Sequence, residues 1–163
     1  MRPDSTIERP LEYRLATPGD AADCVALRGR TRENAISAER LRFLGVTAES
    51  WGEDIRSGAL PGIVCLSEGE MVGYCFGAKE SGEVVVLAIL PAFENKGIGS
   101  NLLKRVVAVL KDHGRRRLFL GCSPDPKSRS YGFYRHLGWR STGTFDKRGD
   151  EILEYHVSAL QDE

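Results

Sequence analysis

The chain has 163 residues, of which 41% are hydrophobic and 28% are charged, values near the averages for globular domains. This length predicts one domain with a core large enough to fold unaided. Lysine plus arginine equals aspartate plus glutamate at 23 each, which argues against the basic surface of a protein that binds nucleic acid or an anionic membrane.

The chain is expected to begin with a polar tail and to continue as one domain. Residues 1–10 are polar and bounded by proline, so we interpret them as a frayed tail and 11–163 as the domain. Hydrophobic periodicity and turn residues predict the elements of this domain. In chain order they are a strand at 12–16, a helix from 18 to about 32, short helices at 39–44 and 47–58, strands at 63–67, 71–79 and 83–90, a helix at 97–113, a strand at 117–122, a helix at 128–137, and strands at 139–145 and 151–157.

Three local patterns support this order of elements. Thr17 followed by Pro18 is typical of a helix N-cap and first turn, and Glu68-Gly69-Glu70 is typical of a short hairpin turn. The segment 83–90 is apolar on both faces, as in a strand at the middle of a sheet. The whole pattern predicts an α+β fold around a mixed, mostly antiparallel central sheet of six to seven strands, flanked by about four helices.

The loop between the strand at 83–90 and the next helix carries the clearest functional signal. Gly97 and Gly99 stand where the helix begins, and glycine there lets the backbone approach a ligand closely. The first N–H groups of a helix have no internal partner, so this position favours an anion such as pyrophosphate. A Rossmann loop needs a third glycine, whereas position 102 is leucine. A Walker loop needs lysine after its glycine, whereas Lys96 precedes Gly97, so both nucleotide-binding alternatives are disfavoured.

Two segments resemble a known family. The stretch 84–103, VVVLAILPAFENKGIGSNLL, closely resembles the central strand, the Q/R-x-x-G-x-G/A loop and the following helix of the GCN5-related N-acetyltransferases, the GNAT superfamily. The stretch 131–139, YGFYRHLGW, resembles the FYxxLGF segment of that family, and the two occur in the expected order and separation. The resemblance implies a GNAT-like fold, acetyl-CoA as co-substrate without a metal, and transfer of the acetyl group to an amine by direct attack in a ternary complex.

The resemblance also implies roles for individual residues. Tyr134 matches the tyrosine expected to protonate the leaving thiolate as general acid, and simple aromatic packing is its alternative role. Glu83, at the start of the central strand, matches an acidic base that works through water, and a solvated carboxylate is the alternative. The backbone N–H of Ile89 is expected to hold the oxyanion. The residues expected to bind the cofactor are Leu87, Ala88, Ile89, Asn95, Lys96, Gly97, Ile98, Gly99, Ser100, Lys127, Ser130 and Tyr134.

Acceptor selection is expected in the interrupted helical segment, because functional residues concentrate in such connections. Arg32, Asn34 and Trp51 are its notable polar and aromatic residues and are the candidate substrate contacts. Arg28, Arg30 and Arg32 also fit a solvated helix face. The acceptor is expected to be a small-molecule or peptide amine, and the resemblance allows a homodimer.

One position departs from the family pattern. Glu94 stands where the family usually has arginine or glutamine, three residues before the first loop glycine. A carboxylate beside pyrophosphate repels it and lowers affinity unless it turns away. This departure keeps two alternatives open, a non-catalytic regulatory protein that binds acetyl-CoA and a structural module that does not.

Cysteine use and the absence of targeting signals predict a cytoplasmic location. Residues 1–10 have no apolar core of a secretory signal, and the longest apolar stretch, 84–93, is shorter than the roughly 20 residues of a membrane span. The widely spaced cysteines favour buried, reduced thiols, and the scattered histidines give no support for zinc. The cysteines are Cys24, Cys65, Cys75 and Cys122.

Overall fold

The computed structural model describes residues 10–33 and 35–157. The predicted tail before Pro10 and the candidate substrate residue Asn34 lie outside this part of the chain. The helices and strands, in chain order, are β1 Leu11–Leu15, α1 Ala21–Arg28, α2 Ala38–Phe43, α3 Ala48–Ser57, β2 Gly62–Ser67, β3 Glu70–Gly77, β4 Val84–Ile89, α4 Ile98–Asp112, β5 Arg117–Cys122, α5 Arg129–His136, β6 Arg140–Phe145 and β7 Glu151–His156.

Local signals explain why these elements begin and end where they do. Thr17 and Asp20 form a capping box around a 3-10 turn at Pro18–Asp20, which leads directly into α1, and the Asp20 carboxylate accepts the Thr17 N–H at 2.7 Å. The β2–β3 turn has positive φ at Glu68 (52°) and Gly69 (81°), as a two-residue type I′ hairpin requires. The predicted helix to about residue 32 is too long. It ends at Arg28, whose carbonyl accepts the N–H of Ile36 at 3.0 Å as the chain turns back.

Within residues 10–33 and 35–157, seven strands form the predicted mixed, mostly antiparallel arrangement, which is divided into two sheets. The first has the order β1-β2-β3-β4 and the second the order β5-β7-β6, and all neighbours within each are antiparallel. The crossover through α4 makes β5 parallel to β4, and one parallel bridge, Glu83 to Phe119, joins the two sheets. The parallel pairing that makes the arrangement mixed therefore lies at the junction between the two sheets.

Two apolar clusters fix the position of the junction. On one face of the first sheet, α4 buries a row of side chains that also contacts the second sheet: Ile98, Leu102, Leu103, Val106 and Leu110, with Leu118, Leu120 and Leu153. On the other face, α1 and α3 pack over Tyr74 and Phe76. Burial of each large apolar side chain contributes about 1.5–3 kcal/mol. Because α4 spans both sheets, its N-terminus lies in a fixed place relative to β4.

The cysteines are buried and unpaired, as the sequence predicts. Among the helices of residues 10–33 and 35–157, none is long and apolar enough to cross a membrane.

Candidate active site

A gap opens between β4 and β5 beyond the bridge at Glu83. The Leu90 N–H donates to the Val72 carbonyl at 2.9 Å. In an antiparallel pair, alternate residues turn their backbone groups to the same side, so Ala88 faces β3 whereas Leu87 and Ile89 face away from it. The N–H and C=O groups of Leu87 and Ile89 therefore border the gap as an open strand edge, which an extended ligand can pair with.

A bulge in β4 lies next to this open edge. Phe76 pairs with Val86 and Gly77 pairs with Val84, so Val85 has no partner on β3. Its side chain is 46% exposed, although it belongs to a central strand. A bulge bends its strand and increases the local twist. This bend accounts for the separation of β4 from β5 after a single bridge.

The loop after β4 presents the N-terminus of α4 at the end of the gap. Asn95 (φ 63°) and Gly97 (φ 81°) adopt the left-handed conformation and turn the chain into the helix. No side chain caps this helix, so the N–H groups of Ile98, Gly99 and Ser100 are open to a ligand. In this 15-residue helix the aligned peptide dipoles add partial positive charge at the same place. This is the backbone arrangement that the predicted anion site requires.

Gly99 allows the close packing that holds this site together. A Cβ atom built at Gly99 would lie 3.0 Å from Ile89 Cδ1 and 3.3 Å from Phe133 Cζ. The helix N-terminus, the open strand and α5 are therefore in direct contact. No larger residue fits at Gly99 without moving one of them.

Glu94 lies among positive charges instead of facing the anion site alone. The Arg32 Nε donates to Glu94 Oε1 at 2.8 Å, and the Arg129 Nη1 donates to the same oxygen at 3.1 Å. Arg129 Nη2 also reaches Asn95 Oδ1 at 3.4 Å. The Glu94 side chain is 11% exposed, whereas the Lys96 side chain points into solvent. The repulsion expected from this carboxylate is thus compensated within the protein.

Tyr134, on α5, lies between the two sheets. Its ring makes edge contacts with Phe133 and Trp139, at centroid distances of 5.0 and 6.1 Å. Burial, with smaller effects from Cys75 on β3 and Cys122 on β5, raises the pKa of its hydroxyl. Among the described residues the hydroxyl has no hydrogen-bond partner. Because burial disfavours the phenolate, the hydroxyl is a protonated, neutral phenol.

Glu83 lies at the closed end of the gap, at the bridge itself. Its side chain is half-buried, and burial raises the pKa of its carboxyl. Arg148 lowers this pKa and Asp146 raises it, both from the connection between β6 and β7. A carboxyl with a raised pKa is suited to general-base work because it binds a proton more tightly than a free carboxylate does.

The remaining candidate residues lie in three separate places: the turn before α5, the first turn of α5 and the side of the cofactor loop. Lys127 is exposed in the turn before α5, where its N–H donates to Asp125 Oδ1 at 2.9 Å. The Ser130 and Ser128 hydroxyls are 3.4 Å apart on the first turn of α5. Arg32 lies against Glu94, beside the loop.

Trp51 requires a correction. The structure places it in the core, 6% exposed, with ring centroids 5.5 Å from Tyr74 and 5.4 Å from Phe76. An amphipathic helix can turn an aromatic residue to either side, and the apolar side of α3 faces the sheet. The indole is therefore not on the surface where an acceptor contact was expected.

Sequence reasoning did not identify Arg129 as a member of the site. One signal was present, since an arginine in the first turn of a helix opposes the helix dipole and needs a nearby anion. Within the described residues, no group of three or more histidine, cysteine, aspartate or glutamate side chains is arranged to hold a metal ion.

Comparison with protein-family models matches residues 32–139 to the acetyltransferase (GNAT) family. No curated protein gives a significant match, whereas 477 chains of solved structures do. The PaiA N-acetyltransferase from Thermoplasma acidophilum, in complex with coenzyme A, is 18% identical over 90% of this chain and 99% of its own, with a TM-score of 0.75.

Two further solved structures share the fold. YncA, described as an acetyltransferase from Salmonella typhimurium with its cofactor acetyl-CoA, is 17% identical over 91% of this chain and 95% of its own, with a TM-score of 0.71. The ribosomal-protein-S18-alanine N-acetyltransferase from Escherichia coli is 15% identical over 91% of this chain and 95% of its own, with a TM-score of 0.66.

Proposed function

The chain belongs to the acetyltransferase (GNAT) family, and we propose that it transfers an acetyl group from acetyl-CoA to an amine by direct attack in a ternary complex. One observation carries this proposal. The open edge of β4, at Leu87 and Ile89, leads to the uncapped N-terminus of α4. A strand-like arm that ends in a pyrophosphate matches this arrangement, because the strand edge pairs with amides and the helix N-terminus binds the anion.

The residues around the gap can perform each proton transfer of the reaction. Acetyl-CoA, when bound, supplies a thioester whose carbonyl carbon an amine can attack. The Ile89 N–H, which faces the gap, donates to the carbonyl oxygen as negative charge develops there. Glu83, acting through water, accepts the proton that the amine loses when the C–N bond forms. Tyr134 donates its proton to the sulfur as the C–S bond breaks, which releases CoA as a thiol.

A non-catalytic role was suggested by the acidic residue in the cofactor loop. The two arginines that contact Glu94 compensate its negative charge within the protein, so this charge no longer argues for a non-catalytic role. The measurement that separates enzyme from binding protein is CoA release over a panel of small-molecule and peptide amines. We expect thermal stabilisation by acetyl-CoA and turnover with at least one class of amine. Stabilisation without turnover on any amine supports a regulator, and no stabilisation supports a structural module.

Gly97→Ala is expected to weaken CoA binding, because alanine at φ 81° is strained by about 1–2 kcal/mol. Relief of this strain moves the loop, and we expect a loss of affinity of about tenfold, equivalent to about 1.4 kcal/mol. Isothermal titration calorimetry with CoA measures the change.

The matched control for this variant is Gly114→Ala. Gly114 has φ 91° and open space around its Cα, and it lies at the opposite end of α4. It should lose similar stability yet bind CoA normally. Equal losses of affinity in both variants would show that the effect is general strain and not a local role of Gly97.

Glu83→Gln is expected to remove the acid limb of the kcat/KM profile. Because its pKa is raised, the wild-type base loses its proton, and activity rises, at a higher pH than for an ordinary glutamate. Glutamine cannot accept the proton, so we expect a loss of about 10²-fold above that pH. Glu80→Gln, at an exposed position nearby, is the control. An unchanged pH profile in Glu83→Gln would leave Glu83 as a structural carboxylate.

A further inference from the structure

Four side chains form a polar group beside the N-terminus of α4, which we name the Glu94 cluster: Arg32, Glu94, Asn95 and Arg129. They come from the segment after α1, the loop after β4 and the first turn of α5. Glu94 connects the two arginines, because both of them donate to its Oε1 atom. With exposed Lys96, the group holds three cations and one carboxylate, an excess of two positive charges.

This excess of charge lies where the backbone is also positive. The uncapped N-terminus of α4 follows the loop directly, and Arg129 itself stands in the first turn of α5. Cations near helix N-termini are unfavourable unless an anion is present. Glu94 offsets one charge, and the remainder is suited to a dianion in the same place.

The cluster leaves part of each guanidinium free for such an anion. A guanidinium has five N–H donors in a fixed plane. Arg32 uses Nε on Glu94, and Arg129 uses Nη1 and Nη2 on Glu94 and Asn95. Among the described residues, the Nη atoms of Arg32 and the Nε atom of Arg129 have no partner. The two side chains are 57% and 47% exposed, so a ligand can reach these donors.

We propose that Glu94 is a positioning residue, which holds Arg32 and Arg129 beside the cofactor loop so that their guanidinium groups bind the pyrophosphate of CoA. The two arginines thereby replace the side chain that the family usually supplies at the position of Glu94. This inference rests on the proposed function, since it requires CoA at the gap. Glu94 acts by orienting long, flexible side chains before binding, which lowers the entropy lost on binding.

The charge of Glu94 provides a test in which two explanations predict opposite signs. If Glu94 only repels the pyrophosphate, Glu94→Ala raises the affinity for CoA. If it positions the arginines, Glu94→Ala lowers that affinity, and we expect a loss of severalfold by calorimetry. In the background of Arg32→Ala and Arg129→Ala, where nothing remains to be positioned, Glu94→Ala should instead raise it. A rise in affinity in the otherwise unchanged protein would overturn the proposal.

Arg129→Ala identifies the phosphate that is bound. We expect a loss of about tenfold to a hundredfold, as for a hydrogen bond to a charged group. The loss should be equal for CoA and for dephospho-CoA, which lacks only the 3′-phosphate, and Arg129→Lys should restore part of it. A loss confined to CoA would contradict the assignment to the pyrophosphate. The control is Arg140→Ala, an exposed arginine on β6.

Failure of this inference can be told apart from failure of the proposed function. Wild-type protein that does not bind CoA contradicts the proposed function itself. Wild-type protein that binds CoA, together with Arg32→Ala and Arg129→Ala variants that bind it equally well, contradicts only the role of the Glu94 cluster. Thermal unfolding without ligand checks that each variant is folded, because removing an arginine takes away one partner of the largely buried Glu94 carboxylate.

Discussion

Replacing Tyr134 with phenylalanine is expected to lower kcat by about 10²–10⁴-fold, the usual contribution of a general acid. The affinity for acetyl-CoA should stay close to that of the wild type. Phenylalanine keeps the ring contacts with Phe133 and Trp139 and removes only the hydroxyl. Because this hydroxyl has no partner among the described residues, its loss leaves no protein group unpaired.

The pH dependence of the wild-type enzyme should agree with this role. Burial raises the pKa of Tyr134 above that of an ordinary phenol, so the hydroxyl keeps its proton over the range in which the enzyme is stable. An acid that stays protonated produces no loss of activity at alkaline pH. An alkaline limb in the wild-type kcat profile that persists in Tyr134→Phe must therefore arise from another group.

Tyr131→Phe is the matched control for this prediction. Tyr131 lies one turn earlier on α5, and its ring lies 3.7 Å from the Arg135 guanidinium carbon. It has no contact with the gap in the proposed mechanism, so kcat should be nearly unchanged. If the Tyr134 variant keeps wild-type kcat while the chemical step is rate-limiting, the tyrosine is an aromatic packing residue and another group must protonate the thiolate.

Most helices and strands of the fold were predictable, because the sequence signals that specify them are local. The hairpin at Glu68-Gly69 and the row of apolar residues from Ile98 to Leu110 each specify an element within a short stretch of chain. The loop glycines likewise specify an uncapped helix start. The division into two sheets was not predictable, because it depends on the bulge at Val85, where the pairing of β3 and β4 shifts.

The Glu94 cluster shows what sequence alone does not provide. Glu94 and Arg32 are 62 positions apart, and Glu94 and Arg129 are 35 positions apart. No periodicity connects residues at such distances, and tertiary packing of the segment after α1, the loop after β4 and α5 brings them together. Considered alone, Glu94 is an acidic residue next to an anion site. With its two arginines it belongs to a site with an excess of positive charge.

Trp51 was a candidate acceptor contact, and its buried position leads to a different expected result. Trp51→Ala should lower the free energy of unfolding by about 3–5 kcal/mol, the range for removal of a large buried aromatic side chain. The indole contacts Tyr74 and Phe76 edge to face, and such pairs contribute about 0.5–1.5 kcal/mol each beyond burial. Urea unfolding followed by circular dichroism measures the loss.

Trp51→Phe separates packing from acceptor binding, because it preserves an aromatic ring in the same space. The indole Nε1 is buried without a hydrogen-bond partner, so phenylalanine removes an unsatisfied donor along with part of the ring. We therefore expect a loss of stability much smaller than in Trp51→Ala, and an unchanged KM for the amine at a temperature where both proteins are folded. A higher KM in a Trp51→Phe protein of normal stability would instead show that Trp51 contacts the acceptor. Such a contact would require α3 to move when the acceptor binds.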